Sequence, residues 1–249
     1  MSATILITGA GRGIGRAITL AVSEYYFKKN LTADFVLVSH SDGASLGEVA
    51  SIVSIRGHRV MPFLGDISDE TFLKTMLAEA RSVFGSIDIL INNAGIAHIG
   101  LLQDMSPAQI AHMVNVNLTA AITLSSMVIP DLLKSENAPR ILNISSVWGN
   151  VGASCEAVYS ATKGGINSFT RALAKELAPS LIPVNAISCG LVSTSMNAHL
   201  SAEELTALCE EIPIGRAATP EEVAGVLCHL LDTTAYLTGQ IITLDGGWT

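Results

Sequence analysis

The sequence predicts an α/β fold in which a doubly wound sheet of about seven parallel strands carries helices on both faces, within a single domain over residues 1–249. Short strand-like runs alternate with helix-length segments along the whole chain, as such a sheet requires. The strand-like runs are almost continuously apolar, which is typical of parallel strands covered on both faces. No internal repeat, low-complexity tract or linker rich in Pro, Gly or Ser divides the chain, so we expect one domain.

Seven segments are predicted as strands because each is short and mostly apolar. In chain order they are TILIT at 4–8, FVLVS at 35–39, RVMPFL at 59–64, IDILIN at 87–92, RILNIS at 140–145, PVNAIS at 183–188 and QIITL at 240–244. Segments with helical periodicity lie at 13–28, 69–84, 107–134, 157–178 and 220–231. The polar segment 191–216, with a helical stretch at 202–211, is either a lid over a site or an ordinary surface insertion.

Composition and charge exclude several classes of protein. Hydrophobic residues make up 49% of the chain and charged residues 14%, so disorder is not expected. No apolar run approaches the ~18 to 20 residues of a membrane helix, and no secretory signal precedes the first strand, so we expect a cytoplasmic protein without a membrane partner. The net charge is −8 and no basic cluster stands against it, so nucleic acid is not an expected partner.

The four cysteines do not predict a metal site. Cys155, Cys189, Cys209 and Cys228 are scattered, without a CxxC pair or a Cys/His cluster at metal-ligand spacing. We therefore expect reduced, mostly structural thiols.

The segment ITGAGRGIGR at 7–16 places a glycine at every second position from Gly9 to Gly15. A glycine-rich turn between a strand and a helix lets backbone N–H groups approach a pyrophosphate, while the positive end of the helix dipole faces the phosphates. The GxGxxG spacing is absent and no Gly-Lys-Ser/Thr follows. The spacing is instead TGxxxGxG, from Thr8 and Gly9 to Gly13 and Gly15, which by itself is also compatible with an ordinary turn.

Further motifs follow in order: NNAG at 92–95, NVNL at 115–118, Ser146, and YSATK at 159–163. Together with the glycine segment they resemble the short-chain dehydrogenase/reductase family over nearly the whole chain. The ending TGQIITLDGGWT at 238–249 resembles that of 3-oxoacyl carrier-protein reductases, whereas the segment SEYYFKKNLTAD at 23–34 is extended as in some sepiapterin reductase-like members. The resemblance implies a Rossmann-type fold, the cofactor NADP(H), and hydride transfer to a small-molecule carbonyl or from the corresponding alcohol. It also implies a homo-oligomer, either a tetramer or a dimer.

The resemblance implies four catalytic residues. Tyr159 would be the acid/base, Lys163 would tune its pKa, Ser146 would polarise the substrate oxygen, and Asn117 would relay protons. Tyr159 and Lys163 lie four residues apart, so on a helix they share one face. An ammonium about 4 Å away at an effective dielectric of about 20 contributes about 4 kcal/mol, enough to move a phenol pKa from ~10 toward neutrality. Each residue alone also has an ordinary structural explanation.

The end of the second strand favours NADP over NAD. An acidic residue there would bind the ribose of NAD and repel a 2′-phosphate, but this chain has Ser39 and then His40. Arg12 adds a positive charge, although both basic residues are also compatible with an ordinary solvated surface. The remaining cofactor contacts that the resemblance implies are Gly9, Gly11, Gly13, Ile14, Gly15, Asp66, Ile67, Asn93, Ala94, Gly95, Tyr159, Lys163, Gly190, Val192 and Thr194.

The sequence departs from the family pattern at two places, and it leaves the substrate and one alternative function open. Cys189 stands where the family usually has proline, either as a reactive thiol near the nicotinamide or as a small apolar filler. The segment 23–34 is longer than is common in the family. The substrate is not predicted. A non-catalytic NADP-sensing protein on the same fold is the alternative function.

Overall fold

The computed structural model describes residues 2–198 and 200–249 and contains one seven-stranded sheet in the order β3-β2-β1-β4-β5-β6-β7. The strands are β1 Ala3–Thr8, β2 Ala33–Ser39, β3 Arg59–Leu64, β4 Ile89–Asn92, β5 Arg140–Ser146, β6 Val184–Cys189 and β7 Ile241–Leu244. Every neighbouring pair is parallel. The predicted doubly wound α/β fold is therefore confirmed. The strand order reverses between β1 and β4, which in such sheets is where ligands bind.

Two helical layers cover the sheet. The helices are α1 Gly13–Lys28, α2 Gly43–Ile55, α3 Glu70–Phe84, α4 Pro107–Val114, α5 Ala120–Leu132, α6 Trp148–Val151, α7 Ala157–Leu177, α8 Ala202–Glu211 and α9 Pro220–Leu231. Helices α1, α2 and α9 share one buried apolar cluster with strand residues such as Ile5 and Ile7. Helices α3, α5 and α7 share the other cluster with residues such as Leu6 and Val36. Successive strand residues thus enter opposite cores, which explains why the strands are apolar throughout.

Three elements differ from the sequence expectation, and one of them is the short helix α6, which lies outside the predicted helices. Helix α2 was not among the predicted helices, because its sequence GASLGEVASIVSI contains two glycines and three serines and has little amphipathic contrast. The predicted helix 107–134 is interrupted by one π-helical turn, Asn115–Thr119, between α4 and α5. A π-turn inserts an extra residue into the helix and is frequent at functional sites.

The helical rod Pro107–Leu132 bears on the expectation that no apolar run approaches the ~18 to 20 residues of a membrane helix. By length and mean hydropathy this rod would be able to cross a membrane. Its polar residues Asn115 and Asn117 interrupt the apolar run in the sequence, although the mean hydropathy of an 18-residue window of the rod is 1.4. Within the described chain, Leu124, Val128 and Leu132 are buried against the sheet, so these apolar side chains are used in the core.

The segment 191–216 leaves the sheet and returns beside its own start. Val192 pairs with Ala218, and Ala218 N–H donates to the Leu191 carbonyl at 2.9 Å. Between these ends lie a short 3₁₀ turn, Ser195–Asn197, and α8, which buries none of its side chains. One residue of the predicted lid, His199, lies outside the described residues. The segment is therefore a closed excursion, a geometry compatible with a lid.

Candidate active site

The glycine segment forms a tight loop between β1 and α1 at the point where the strand order reverses. Gly9 has φ +68°, a conformation that side chains of L-residues rarely adopt. A Cβ at Gly15 would overlap the carbonyl oxygen of Gly9 and lie 2.5 Å from Asn93 Nδ2. A Cβ at Gly13 would lie 3.4 Å from the Thr194 methyl. The loop therefore requires glycine for its shape, and it brings the predicted cofactor residues Asn93 and Thr194 together.

The first turn of α1 lacks a side-chain cap from any described residue. Arg12 is the N-cap residue, but it is exposed and makes no capping hydrogen bond. By contrast, α2, α4 and α9 are capped by Asp42, Ser106 and Thr219. The amides of the first turn of α1, including that of the half-buried Ile14, thus face the loop without a side-chain acceptor. Such a helix end suits an anion, and this glycine-lined cradle fits the pyrophosphate of a dinucleotide.

The end of β2 carries no carboxylate beside this loop. A Cβ at Gly11 would lie 3.3 Å from Ser39 Oγ, so Ser39 is adjacent to the glycine loop. His40 and Arg12 are both exposed. Asp42, which follows, is engaged as the N-cap of α2, accepting a backbone N–H at 3.0 Å. Ser39 and His40 thus take the place at the end of β2 where NAD-binding sheets carry a carboxylate.

Asp66 and Asp69, which both follow β3, make different local hydrogen bonds. Asp69 accepts the Thr71 N–H at 2.8 Å and caps α3, one of the alternatives that the sequence left open. Asp66 accepts both the N–H and the hydroxyl of Ser68, at 2.8 and 2.7 Å. Partial burial alone would raise the pKa of Asp66, but the Ser68 hydrogen bonds hold it below its ordinary value. Ile67 is half-buried against the α3 side of the core.

The segment after β4 is tied to the glycine loop. Thr8 Oγ1 accepts the backbone N–H groups of Asn93 and Ala94 at 3.0 and 3.1 Å. Asn93 Nδ2 donates to the Thr8 carbonyl at 2.9 Å. A Cβ at Gly95 would lie 3.3 Å from Asn117 Oδ1 and 3.7 Å from Lys163 Nζ. Gly95 therefore leaves the room in which the Asn117 and Lys163 side chains approach each other.

Asn117 lies in the π-turn and is buried. Its Oδ1 accepts the Ile96 N–H and its Nδ2 donates to the Ile96 carbonyl, both at 2.8 Å. Nδ2 also lies 3.3 Å from Thr162 Oγ1 on α7. The extra residue of the π-turn thus turns Asn117 toward the β4 loop, where it fixes the backbone beside Lys163.

Lys163 is only 5% exposed, and its Nζ donates to the Ile144 carbonyl on β5 at 2.9 Å. Burial lowers the pKa of Lys163 to about 8, because desolvation penalises the ammonium form. The Nζ lies 5.7 Å from the centroid of the Tyr159 ring. The pair therefore shares one face of α7, as the spacing predicts.

Tyr159 departs from the electrostatic expectation. Burial raises the pKa of Tyr159 above its ordinary value, and a side-chain hydrogen bond with Ser146 only partly opposes this. The expectation that Lys163 makes the phenol unusually acidic is wrong for this structure. The physical reason is that desolvation disfavours the phenolate, while the Lys163 amine is directed to the Ile144 carbonyl.

A polar network beneath these residues was not found from the sequence. Ser145 Oγ donates to Asn167 Oδ1 at 2.6 Å, and Asn167 Nδ2 donates to Asn150 Oδ1 at 2.8 Å. Asn150 Nδ2 then donates to Ser188 Oγ at 3.0 Å. The chain of bonds joins β5, α7, α6 and β6. An asparagine on the inward face of a predicted helix was the available signal, since a buried amide requires partners.

The end of β6 places the remaining predicted residues. Cys189 is buried, and burial raises the pKa of its thiol to about 12, which favours the small apolar filler over the reactive thiol. A Cβ at Gly190 would lie 2.8 Å from Asp245 Cα, so glycine allows the C-terminal segment to pass. Val192 is buried, and Thr194 lies against Gly13. Among the described residues no group of His, Cys, Asp or Glu is arranged to hold a metal.

The site thus joins a glycine-lined cradle to a half-buried tyrosine, a buried lysine and a buried serine at the carboxyl edge of one parallel sheet. A model of the short chain dehydrogenase family matches residues 3–205. The chain belongs to the short-chain dehydrogenase family. It is therefore an oxidoreductase, and the family uses nicotinamide cofactors.

Relatives cover almost the entire length of this short-chain dehydrogenase. An uncharacterized oxidoreductase of Bacillus subtilis, YmfI, is 36% identical over 252 residues, covering 100% of this chain and 99% of that protein. The 3-oxoacyl-acyl-carrier-protein reductase FabG of Aquifex aeolicus is 37% identical over 247 residues, covering 97% and 95%. A solved mutant of a short-chain dehydrogenase/reductase from Serratia marcescens has a TM-score of 0.89 at 28% identity, covering 99% of this chain and 97% of that one.

Proposed function

We propose that this protein is an NADP(H)-dependent reductase that transfers hydride between NADPH and a ketone or secondary alcohol. The observation that carries the proposal is the convergence of four polar side chains at the sheet edge that also holds the glycine loop. Asn117 and Lys163 meet beside Gly95, while Tyr159 is hydrogen-bonded to Ser146 and its ring centroid lies 5.7 Å from Lys163 Nζ. Three of these side chains are buried at 6% exposure or less, and the hydroxyl of Tyr159 is hydrogen-bonded to Ser146. Polar groups gathered in this way are typical of acid/base chemistry.

NADPH, when bound, supplies the hydride that reaches the carbonyl carbon. The glycine loop, with Gly9, Gly13 and Gly15, and the uncapped first turn of α1 would hold its pyrophosphate. Ser39, His40 and Arg12 would surround the 2′-phosphate. The other proposed contacts are Gly11, Ile14, Asp66, Ile67, Asn93, Ala94, Gly95, Tyr159, Lys163, Gly190, Val192 and Thr194.

The side chains of the site supply the proton that the carbonyl oxygen of the substrate takes up. Because the pKa of Tyr159 is raised, its phenol stays protonated at neutral pH, which is the form that an acid must have in the reducing direction. Ser146 donates a hydrogen bond to the substrate oxygen as negative charge develops there. The proton passes from Tyr159 Oη to that oxygen. Lys163, with a pKa of about 8, is charged at neutral pH and returns a proton toward the phenolate, with Asn117 fixing the path beside it.

The substrate subclass and the lid are also part of the proposal. A 3-oxoacyl thioester is one candidate substrate, supported by the names of the FabG relatives, and a pterin or other small carbonyl compound is the second. The segment 191–216 would act as the lid, since both of its ends are held together while α8 buries no side chain between them. A non-catalytic NADP sensor remains the alternative function.

The test is a spectrophotometric assay of NADPH and NADH consumption over a panel of ketones, with Tyr159→Phe beside the wild type. We expect NADPH to be the preferred cofactor and Tyr159→Phe to lower turnover by roughly 10²–10⁴-fold, the usual contribution of a general acid. Tyr236→Phe is the matched control, because Tyr236 is 99% exposed and distant from the described site residues in sequence.

Fluorescence titration with NADPH separates chemistry from binding. Tyr159→Phe should still bind NADPH, because every proposed contact except the Tyr159 hydroxyl is kept. Normal turnover by this variant would remove the proposed acid, and NADPH binding without consumption of any ketone by the wild type would favour the sensor.

A further inference from the structure

The last five residues, 245–249, form a curled C-terminal strap. Asp245 Oδ1 accepts the Gly247 N–H at 2.9 Å, and Asp245 Oδ2 accepts the Thr249 N–H at 2.8 Å. These bonds hold the strap in one turn directly after β7. Trp248, between the two glycines and the terminal residue, is half-buried.

The strap contacts the far end of the 191–216 segment. A Cβ at Gly246 would lie 2.6 Å from Ile214 Cγ2, and the Ile214 N–H donates to the Gly246 carbonyl at 3.3 Å. A Cβ at Gly247 would lie 3.4 Å from Pro213. The two glycines thus let the strap pack closely on the base of the proposed lid.

The strap also contacts α6, which begins two residues after Ser146. The indole rings of Trp248 and Trp148 lie with centroids 4.8 Å apart at an interplanar angle of 59°. The backbone N–H of Trp148, not its indole, donates to Ser146 Oγ at 3.2 Å, and Ser146 is hydrogen-bonded to Tyr159. The backbone that carries one indole is therefore bonded to the proposed oxygen-binding serine, and the strap that carries the other packs on the lid base. Such rings offer large, flat, apolar surfaces for binding.

The charges of the 191–216 segment disfavour an anionic substrate. Residues 191–215 contain no Lys or Arg, whereas α8 carries Glu203, Glu204, Glu210 and Glu211. The next cation, Arg216, is paired in bidentate fashion with Glu222 at 2.7 and 2.8 Å. Phosphate groups, which both coenzyme A and phosphopantetheine carry, are usually held by Arg or Lys.

We infer that Trp148 and Trp248 are specificity-determining residues that form an aromatic wall of the substrate site and select uncharged ketones with a flat apolar substituent. This inference rests on the proposed reductase function. The wall brings the substituent of the ketone against the indoles while Ser146 holds the carbonyl oxygen. The acidic lid then disfavours thioesters whose carrier bears phosphate.

The first experiment compares two β-keto esters, ethyl benzoylacetate and ethyl acetoacetate, which differ only in phenyl against methyl. For Trp248→Ala we expect the KM for ethyl benzoylacetate to rise about tenfold, equivalent to about 1.4 kcal/mol, with kcat/KM for ethyl acetoacetate changed less than twofold. Trp248→Phe should leave the KM for ethyl benzoylacetate close to the wild-type value, because it keeps an aromatic face. Tyr236→Ala removes an exposed aromatic ring and is the matched control.

The second experiment compares acetoacetyl-N-acetylcysteamine, which is uncharged, with acetoacetyl-coenzyme A, which bears phosphate. We expect the uncharged thioester to have at least a tenfold higher kcat/KM. Circular dichroism and the Kd for NADPH report whether Trp248→Ala is folded, and Trp248→Leu provides a bulkier apolar substitution for the same comparison.

The outcomes separate this inference from the reductase proposal. If the wild type reduces no ketone, the proposed function fails. If it reduces both esters but the phenyl-to-methyl preference is the same in folded Trp248→Ala or Trp248→Leu, or if the coenzyme A thioester is preferred, the aromatic wall is refuted and the reductase stands.

Discussion

At the scale of single residues, burial shifts the two central titratable groups in opposite directions. Desolvation raises the pKa of Tyr159 and lowers that of Lys163 to about 8, because in each case the charged form is penalised. Both residues are thereby kept closer to their neutral forms. For Tyr159 the neutral form is the proton donor, whereas for Lys163 burial carries a cost to folding that its proposed chemical role explains.

Lys163→Met should therefore stabilise the fold at neutral pH while abolishing turnover. In the wild type the unfolded chain binds the Lys163 proton up to about pH 10.5 and the folded chain only to about pH 8, so stability of the wild type rises between these values. We expect the variant to gain up to about 3 kcal/mol in unfolding free energy at pH 7, since one pKa unit corresponds to about 1.4 kcal/mol.

Urea unfolding at pH 7, 8, 9 and 10 checks this prediction. The advantage of Lys163→Met should be constant below about pH 8 and shrink above it. A variant that is less stable than the wild type at pH 7 would contradict the account of Lys163 as a costly buried ammonium. Lys175, on the exposed side of the same helix, supplies the matched Lys175→Met control.

At the scale of elements, the crossing of α6 and α7 positions Lys163. A Cβ at Gly149 would lie 2.6 Å from the Lys163 carbonyl carbon and 2.8 Å from the Gly164 nitrogen. These are backbone atoms, which are unable to move aside as a flexible side chain would. The short helix α6 thus approaches α7 closely because residue 149 is glycine, and the Asn150–Asn167 bond holds the same crossing.

Gly149→Ala should separate these two helices. We expect a loss of about 1–3 kcal/mol in stability from overpacking and a fall in turnover of at least tenfold, because small displacements at a catalytic group are costly. Gly47→Ala is the matched control, since nothing lies within 4 Å of its added Cβ on α2. That variant should gain up to about 1 kcal/mol from helix propensity.

Thermal unfolding and steady-state assays check the pair. If Gly149→Ala keeps wild-type stability and turnover, the close crossing of α6 and α7 is not required to position Lys163.

At the scale of the whole molecule, the parallel sheet gathers distant segments at one edge. The loops after β1, β4, β5 and β6 all begin at this edge, because the strands run in the same direction. The C-terminal strap reaches the same edge from β7. Residues that lie more than 200 positions apart, such as Thr8 and Trp248, are thereby brought to one end of the sheet.

The oligomeric state is a prediction at this scale. We expect a dimer or tetramer, as members of the family are commonly oligomeric. Light scattering coupled to size-exclusion chromatography should give two or four times the chain mass of 26.0 kDa. A mass equal to that of one chain over micromolar concentrations would refute this expectation.

The sequence by itself determined the fold class, most element positions and the set of candidate site residues. These depend on local signals: continuously apolar strands, the alternating glycines, and the four-residue spacing of Tyr159 and Lys163 on one helix face. Helix α2 and the π-turn at Asn115–Thr119 were not predicted from the sequence, because neither has a distinct local pattern. The sequence identified Gly15 as a candidate site residue. The reason that glycine is required there, overlap of any Cβ with the Gly9 carbonyl oxygen, is visible only in the folded loop.

Only the tertiary structure decided the electrostatics and the partners. The direction of the Tyr159 pKa depends on how much water the surrounding elements remove, and spacing along a helix carries no information about that. The bond of Asn150 to Asn167 and the contact of Trp248 with Trp148 join segments that are separate in sequence. Desolvation and packing are set by whichever segments the sheet brings together, so they exist only once the whole chain has folded.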